Sequence, residues 1–150
     1  MIASSYLVDT SVLSALAPDR PSLEPRVAQW FRDHKDRLYL SAITIAEIEQ
    51  GVSKLRRAGG IERAGRLNDW LEGVMAAYAD RILAIDARVG RLAGALSDQA
   101  LAQGRHPGFP DVAITATALA HGLILLTRNG RHFEPLGVQA VDPLLDLPAE

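Results

Sequence analysis

The sequence predicts an α/β fold of three layers, with helices on both faces of a central parallel sheet of four to five strands. Two observations carry that expectation. Short apolar runs alternate with longer stretches of helical periodicity, the pattern of parallel strands joined by helical crossovers. The chain has 150 residues, 48% of them apolar and 23% charged. That suits one domain over 1–150 with a full core and leaves no room for two.

The first strand is Tyr6-Leu7-Val8, an apolar run closed by an acid, Asp9. Val12 to Ala17 reads as a short helix, stopped by the Pro18-Asp19-Arg20-Pro21 turn. A helix over Pro25 to His34 follows, with Val27, Trp30 and Phe31 at helical spacing and Pro25 suited to its first turn. Leu38-Tyr39-Leu40 is the second strand, and Ser41 is placed to open the next helix. That helix runs from Thr44 to Arg57, with Ile45, Ile48, Val52 and Leu55 on one face. Ala58-Gly59-Gly60 separates it from a long amphipathic helix, Ile61 to Ala77, with Leu67, Trp70, Leu71 and Val74 inward. Ile82 to Ile85 is the third strand. Asp86 is the expected N-cap of a helix that carries Val89, Leu92, Leu96 and Leu101 to Gly104. A Pro/Gly-rich loop, 106–110, leads to a helix from Asp111 to His121, ended by Gly122. Leu123 to Thr127 is the fourth strand, and 139–141 can add an edge strand before the Pro-rich tail.

Composition narrows the class. The absence of cysteine excludes disulfides, thiol catalysis, zinc–thiolate sites and iron–sulfur clusters. No apolar run approaches the roughly 20 residues that span a bilayer, so no membrane association is expected. The opening residues lack a basic n-region and carry Asp9, unlike a secretory signal. A soluble, cytoplasmic protein is the expectation. The net charge of −2 argues against bulk coating of nucleic acid. A local basic rim remains, formed by Lys54, Arg56, Arg57, Arg63 and Arg66 around Glu62; it reads either as a docking surface or as a solvated face.

In parallel α/β sheets, ligands bind outside the carboxyl ends of the strands. Three acids stand there. Asp9 closes the first strand, Glu47 lies early in the helix after the second, and Asp111 begins the helix before the fourth. Each is set among apolar neighbours, where a lone carboxylate is costly unless something positive compensates. Converging carboxylates without cysteine suggest a hard divalent cation, Mg²⁺ or Mn²⁺. Simple capping by Asp9 and Asp111 and exposure of Glu47 is the alternative, but Glu47, between Ile45 and Ile48, has no capping role. Other families with an acid at a strand end fit less well. A haloacid-dehalogenase phosphatase needs a second acid where Ser11 stands, and a receiver domain would have to use Asp86 after a poorly matching element count. No Gly-rich dinucleotide fingerprint follows the first strand.

The stretches TyrLeuValAspThrSerValLeu (6–13), SerAlaIleThrIleAlaGluIle (41–48), PheProAspValAlaIleThrAlaThrAlaLeuAlaHisGly (109–122) and LeuIleLeuLeuThrArgAsnGlyArgHisPhe (123–133) resemble the PIN-domain nucleases. The likeness is to the VapC/FitB-like toxins of toxin–antitoxin pairs, with the four motifs in order over nearly the whole chain. It implies a PIN fold, a Mg²⁺- or Mn²⁺-dependent endoribonuclease, a homodimer and a VapB-type antitoxin. The RNA substrate would be a transfer RNA by family analogy. Carried over by motif, the family's acids fall on Asp9, Glu47 and Asp111, with Asp9 and Asp111 holding the metal and Glu47 binding it directly or through water. Hydrolysis would then leave a 5′-phosphate and a 3′-hydroxyl.

The chain departs from the family at the fourth acid, whose place falls on Asn129 or His132. That leaves the number of metals open, and with it a catalytically weak or inactive PIN-like module that only binds RNA or protein. Thr10 and Ser11 are expected to orient Asp9 from behind, Thr127 and Asn129 to offer neutral oxygens, and Arg128 to meet a substrate phosphate or an acidic antitoxin segment. His34, His106, His121 and His132 show no metal-ligand spacing and read as surface or cap residues, His132 alone having a place in a motif. Trp30 and Trp70 read as core or dimer contacts.

Overall fold

Alternation along the strands decides which helices cover which face of the sheet. The computed structural model describes residues 3–150; Met1 and Ile2, on which the reading of the opening residues partly rests, lie outside them. The elements are β1 (Tyr6–Val8), α1 (Thr10–Ala15), α2 (Pro25–Asp33), β2 (Leu38–Ser41), α3 (Ala42–Arg57) and α4 (Ile61–Tyr78). They continue with β3 (Ile82–Leu83), α5 (Ala87–Ala102), α6 (Phe109–His121), β4 (Ile124–Leu126), α7 (Gly130–Phe133) and β5 (Ala140–Val141). All strand pairs are parallel, in the order β3-β2-β1-β4-β5.

Tyr6 and Val8 of β1, Leu38 and Leu40 of β2 and Leu126 of β4 share one face, packed against Val12, Trp30, Val52, Leu71 and Val74 from α1–α4. Their neighbours Leu7 and Leu125 point the other way, onto Ile114 and Ala118 of α6 and Phe133 of α7. Behind α6, a second seam joins Val112 and Ala116 to Val89, Ala93 and Leu96 of α5. Three layers result, α/β/α.

The chain lays β1, β2 and β3 outward, then returns to place β4 on the other side of β1. β1 and β4 are therefore neighbours whose connections leave in opposite directions, which opens a crevice at their carboxyl ends. Asp9 follows β1 there, and Thr127 follows β4.

Local signals set the helix ends. The Ser41 hydroxyl accepts from the Ile43 N–H at 3.1 Å, and the Asp86 carboxylate accepts from the Val89 N–H at 2.9 Å. Gly122 closes α6 at φ 65°, a left-handed position natural to glycine.

Several expectations move. α1 begins at Thr10, not Val12, and α3 at Ala42, directly after its cap. β3 is only Ile82–Leu83, because its neighbour β2 ends at Ser41, opposite Leu83, and offers no backbone to Ala84 and Ile85. α6 starts two residues before Asp111, since Pro110 needs no N–H partner in a first turn. Leu101 is 52% exposed: the seam on α5 runs through Val89, Ala93, Leu96 and Ala100, and Leu101 lies about 100° round the helix from Ala100. α7 was not expected.

Trp30 is buried among Tyr6, Phe31 and His34, so it belongs to the core, one of the two places expected for it. His34 is not a surface residue either. It occupies the C-cap position of α2, stacks on Trp30 with ring centroids 4.2 Å apart, and its Nδ1 donates to the Trp30 carbonyl at 2.7 Å. Among the described residues no helix is long and apolar enough to cross a membrane.

Candidate active site

Asp9 sits at the mouth of the crevice with only 4% of its surface exposed. Its main chain is fixed by an N–H bond to the Leu126 carbonyl at 2.9 Å, which ties the end of β1 to the end of β4. Asp9 stands at the N-cap position of α1, but its side chain caps nothing. The carboxylate turns instead toward two hydroxyls: Ser11 Oγ donates to Oδ2 at 2.7 Å, and Thr127 Oγ1 donates to the same oxygen at 2.8 Å. Each hydroxyl is itself oriented, Ser11 by the N–H of Arg128 and Thr127 by the N–H of Asn129, both at 3.0 Å. The fourth motif thus supports the first acid through the Thr127 hydroxyl and through backbone N–H groups that any residue but proline would supply at 128 and 129.

Glu47 reaches the same place from α3. Thr10, expected behind Asp9, instead donates from Oγ1 to the Glu47 Oε1 at 2.6 Å, because α1 faces α3 there, and sits 3.0 Å from the hydroxyl of buried Thr44. Asp111 comes from the first turn of α6, and its Oδ2 lies 3.6 Å from Nδ1 of the exposed His132. Burial raises the pKa of Glu47 above its ordinary value; the Asp9 and Asp111 charges add to this, and the Thr10 hydrogen bond opposes it. Asp111 is raised by burial and by the Asp9 charge, with His132 opposing. The three acids therefore sense one another across the crevice.

Among the described residues, neither Asp9 nor Glu47 has a Lys or Arg ion-pair partner. Desolvated carboxylates and hydroxyls without a Lys or Arg partner could offer oxygen donors to a hard divalent ion. No three Asp, Glu or His side chains among the described residues close into a ready cage. An ion such as Mg²⁺, which keeps several waters and takes only one or two carboxylates, needs none.

Sequence reasoning placed Asp86 correctly as a cap. His106 and His121 are exposed, while His132 stands closer to the site than its spacing suggested. Thr44 was missed. It falls one turn before Glu47 on α3, a spacing that could have signalled a shared face. Trp70 is half-buried and lines, with Thr10, Glu47, Lys54 and Arg63, a groove of about 420 Å³ between α3 and α4. Of the basic stretch, Lys54 and Arg63 edge this groove, and Arg66 pairs with Asp19 at 3.1 Å.

A parallel sheet in this order, with carboxylates gathered at its central switch point, defines an α/β fold with an acidic crevice. A PIN-domain family model matches residues 6–137, and the chain belongs to that family. Its relatives include VapC ribonuclease Y4jK of Sinorhizobium fredii, 38% identical over 141 residues that cover 91% of this chain and 96% of that protein. Toxin FitB of Neisseria gonorrhoeae is 32% identical over 142 residues, covering 93% and 99%. Among solved structures, FitAcB from Neisseria gonorrhoeae superposes with a TM-score of 0.77 at 32% identity over 92% of this chain and 97% of that one. DNA-bound VapBC from Salmonella typhimurium shares the fold, with a TM-score of 0.79 at 22% identity over 94% and 99%.

Proposed function

We propose that this protein is the toxin of a VapBC-type toxin–antitoxin pair, an endoribonuclease dependent on Mg²⁺ or Mn²⁺ and neutralised by a VapB-type antitoxin. What carries the reading is the raising of the Glu47 and Asp111 carboxyls by burial and by the Asp9 charge, to which Asp111 adds at Glu47, with no Lys or Arg ion-pair partner for these acids among the described residues. The relative named a VapC ribonuclease supports the activity. The solved FitAcB and VapBC assemblies support the antitoxin.

Asp9 and Asp111 would hold the metal, with Glu47 binding it directly or through water. When bound, the ion would lower the pKa of a coordinated water and neutralise charge on the scissile phosphate. Ser11 and Thr127 both donate to Oδ2 of Asp9, which leaves Oδ1 as the oxygen turned to a ligand. Thr10 fixes the rotamer of Glu47 through Oε1. Where Glu47 meets the ion only through water, its carboxylate would be placed to take a proton from that water. Cleavage would leave a 5′-phosphate and a 3′-hydroxyl. With Asn129 and His132 in place of a fourth acid, the charge present would suit one metal better than two. A transfer RNA is the substrate proposed, and the working unit a homodimer whose protomers are single domains.

The test is purified, antitoxin-free protein incubated with total RNA and then with transfer RNA, in Mg²⁺, Mn²⁺ or EDTA. Cleavage that needs metal is expected, with a loss of about a hundredfold or more in Asp9→Asn, Glu47→Gln and Asp111→Asn, the scale of lost metal support. Light scattering of the same sample should give twice the 16.2 kDa chain mass. RNA bound but left intact would make the chain a PIN-fold binding module instead.

A further inference from the structure

A second pocket opens beside α1, with a volume of about 360 Å³ and a lining that includes Ser11, Ser14, Arg20, Ser22 and Arg128. It neighbours the acid site through Ser11, whose hydroxyl donates to Asp9 and accepts from the Arg128 N–H. Two arginines therefore line a cavity that shares Ser11 with the buried acid Asp9. Among the described residues, neither Arg20 nor Arg128 forms an ion pair with a carboxylate. Exposed Glu24 is the acid in the lining.

Arg20 occupies a particular position. It lines this pocket and also the groove on which Glu47 opens, as does Ser14, so both stand on the ridge between the two. The turn that presents Arg20 is stiff. Pro18 and Pro21 bracket it, each with φ restricted by its ring. Asp19 holds a left-handed φ of 69°, and its carboxylate is tied to Arg66 of α4 at 3.1 Å. An arginine on an anchored turn loses less freedom on binding than one on a free loop.

Charge defines the occupant. A nucleic-acid strand entering the crevice brings its phosphates toward three carboxylates that repel them. The phosphates flanking the cleaved bond need cations held away from those acids, and guanidinium forks match phosphate oxygens in geometry. The volume falls in the range that seats one small ligand, about 300–1,000 Å³.

We infer that this pocket is a backbone subsite for single-stranded RNA, in which Arg20 and Arg128 grip the phosphate next to the scissile one and the cavity seats its nucleoside. The inference rests on the nuclease reading above. Both arginines are positioning residues, so their loss should weaken substrate binding and leave the chemical step largely intact.

The experiment is a fluorescence-anisotropy titration with a short, mixed-sequence, fluorescein-labelled oligoribonucleotide in EDTA, over about 50–200 mM salt. Cleavage kinetics of the same oligonucleotide in Mg²⁺ follow. Arg20→Gln and Arg128→Gln should each weaken binding and raise KM about tenfold, with kcat within about twofold, as expected for one charge-assisted contact. Each should also flatten the salt dependence of log K by about 0.7, the loss of one phosphate contact to a single strand. Arg91→Gln, on the exposed side of α5, should change neither quantity. Unchanged KM and salt slope in both pocket variants, with the parent still cleaving, would overturn the subsite and leave the nuclease standing. A parent that neither binds nor cleaves the oligonucleotide would overturn both.

Discussion

A carboxylate as buried as Asp9 normally meets a cation; here it meets two hydroxyls on one oxygen. That arrangement orients the group without neutralising it, which is what a ligand for an incoming ion requires. Thr127 is the better probe of the two, because Ser11 also lines the arginine pocket. Thr127→Val keeps the shape, removes the donor and leaves the Asn129 N–H without its acceptor. Metal-dependent cleavage should fall about ten- to a hundredfold, the usual effect of losing a supporting contact behind a ligand. Thr127→Ser should retain most of it. Equal rates in parent and Val variant would remove Thr127 from the site.

Each helix that carries an acid depends on a neighbour for its position. α6 presents Asp111 and is held against the sheet by Ile114 and Ala118 and against α5 by Val112 and Ala116. α5 begins at the Asp86 cap, so Asp86→Ala should cost about 1 kcal/mol of stability, read as a lower urea midpoint with an unchanged slope. Such elements were legible from the sequence because their signals are local: an N-cap acid, a Gly after the last turn, apolar residues at helical spacing. The three acids were legible for a related reason, since the rule for strand ends names positions in the chain. What escaped depends on distant partners. β3 is cut short by the end of β2, which only the register reveals. Arg20 reads as a turn residue until tertiary closure brings it to the same pocket as Arg128, and His132, known only by its place in a motif, meets Asp111 once α7 folds against α6.

At the scale of the molecule, the strand order makes β1 central and joins its carboxyl end to β4, so the acid site is built on the best-supported part of the sheet. The site itself works against stability. Folding raises the proton affinity of Glu47 and Asp111 above their ordinary pKa values of 4.5 and 3.8. The folded state therefore binds protons more readily than the unfolded chain. The stability linked to these groups is fully present below those ordinary values and is lost as pH rises through the raised ones. In EDTA at neutral pH, Asp111→Asn should be more stable than the parent by a fraction of a kcal/mol, since solvent screens a half-exposed group. At roughly pH 3, where the parent carboxyl is protonated in both states, the difference should vanish. A divalent ion reverses the order. Binding only the folded state, Mg²⁺ or Mn²⁺ at a hundred times its Kd adds about 2.7 kcal/mol, or roughly 5–10 °C in Tm for a chain of this size. The parent should gain that shift in a thermal melt, and Asp111→Asn, with one ligand oxygen turned to an amide, should gain much less. Equal metal-induced shifts in the two proteins would mean that Asp111 does not hold the ion, and the site would have to be rebuilt around Asp9 and Glu47.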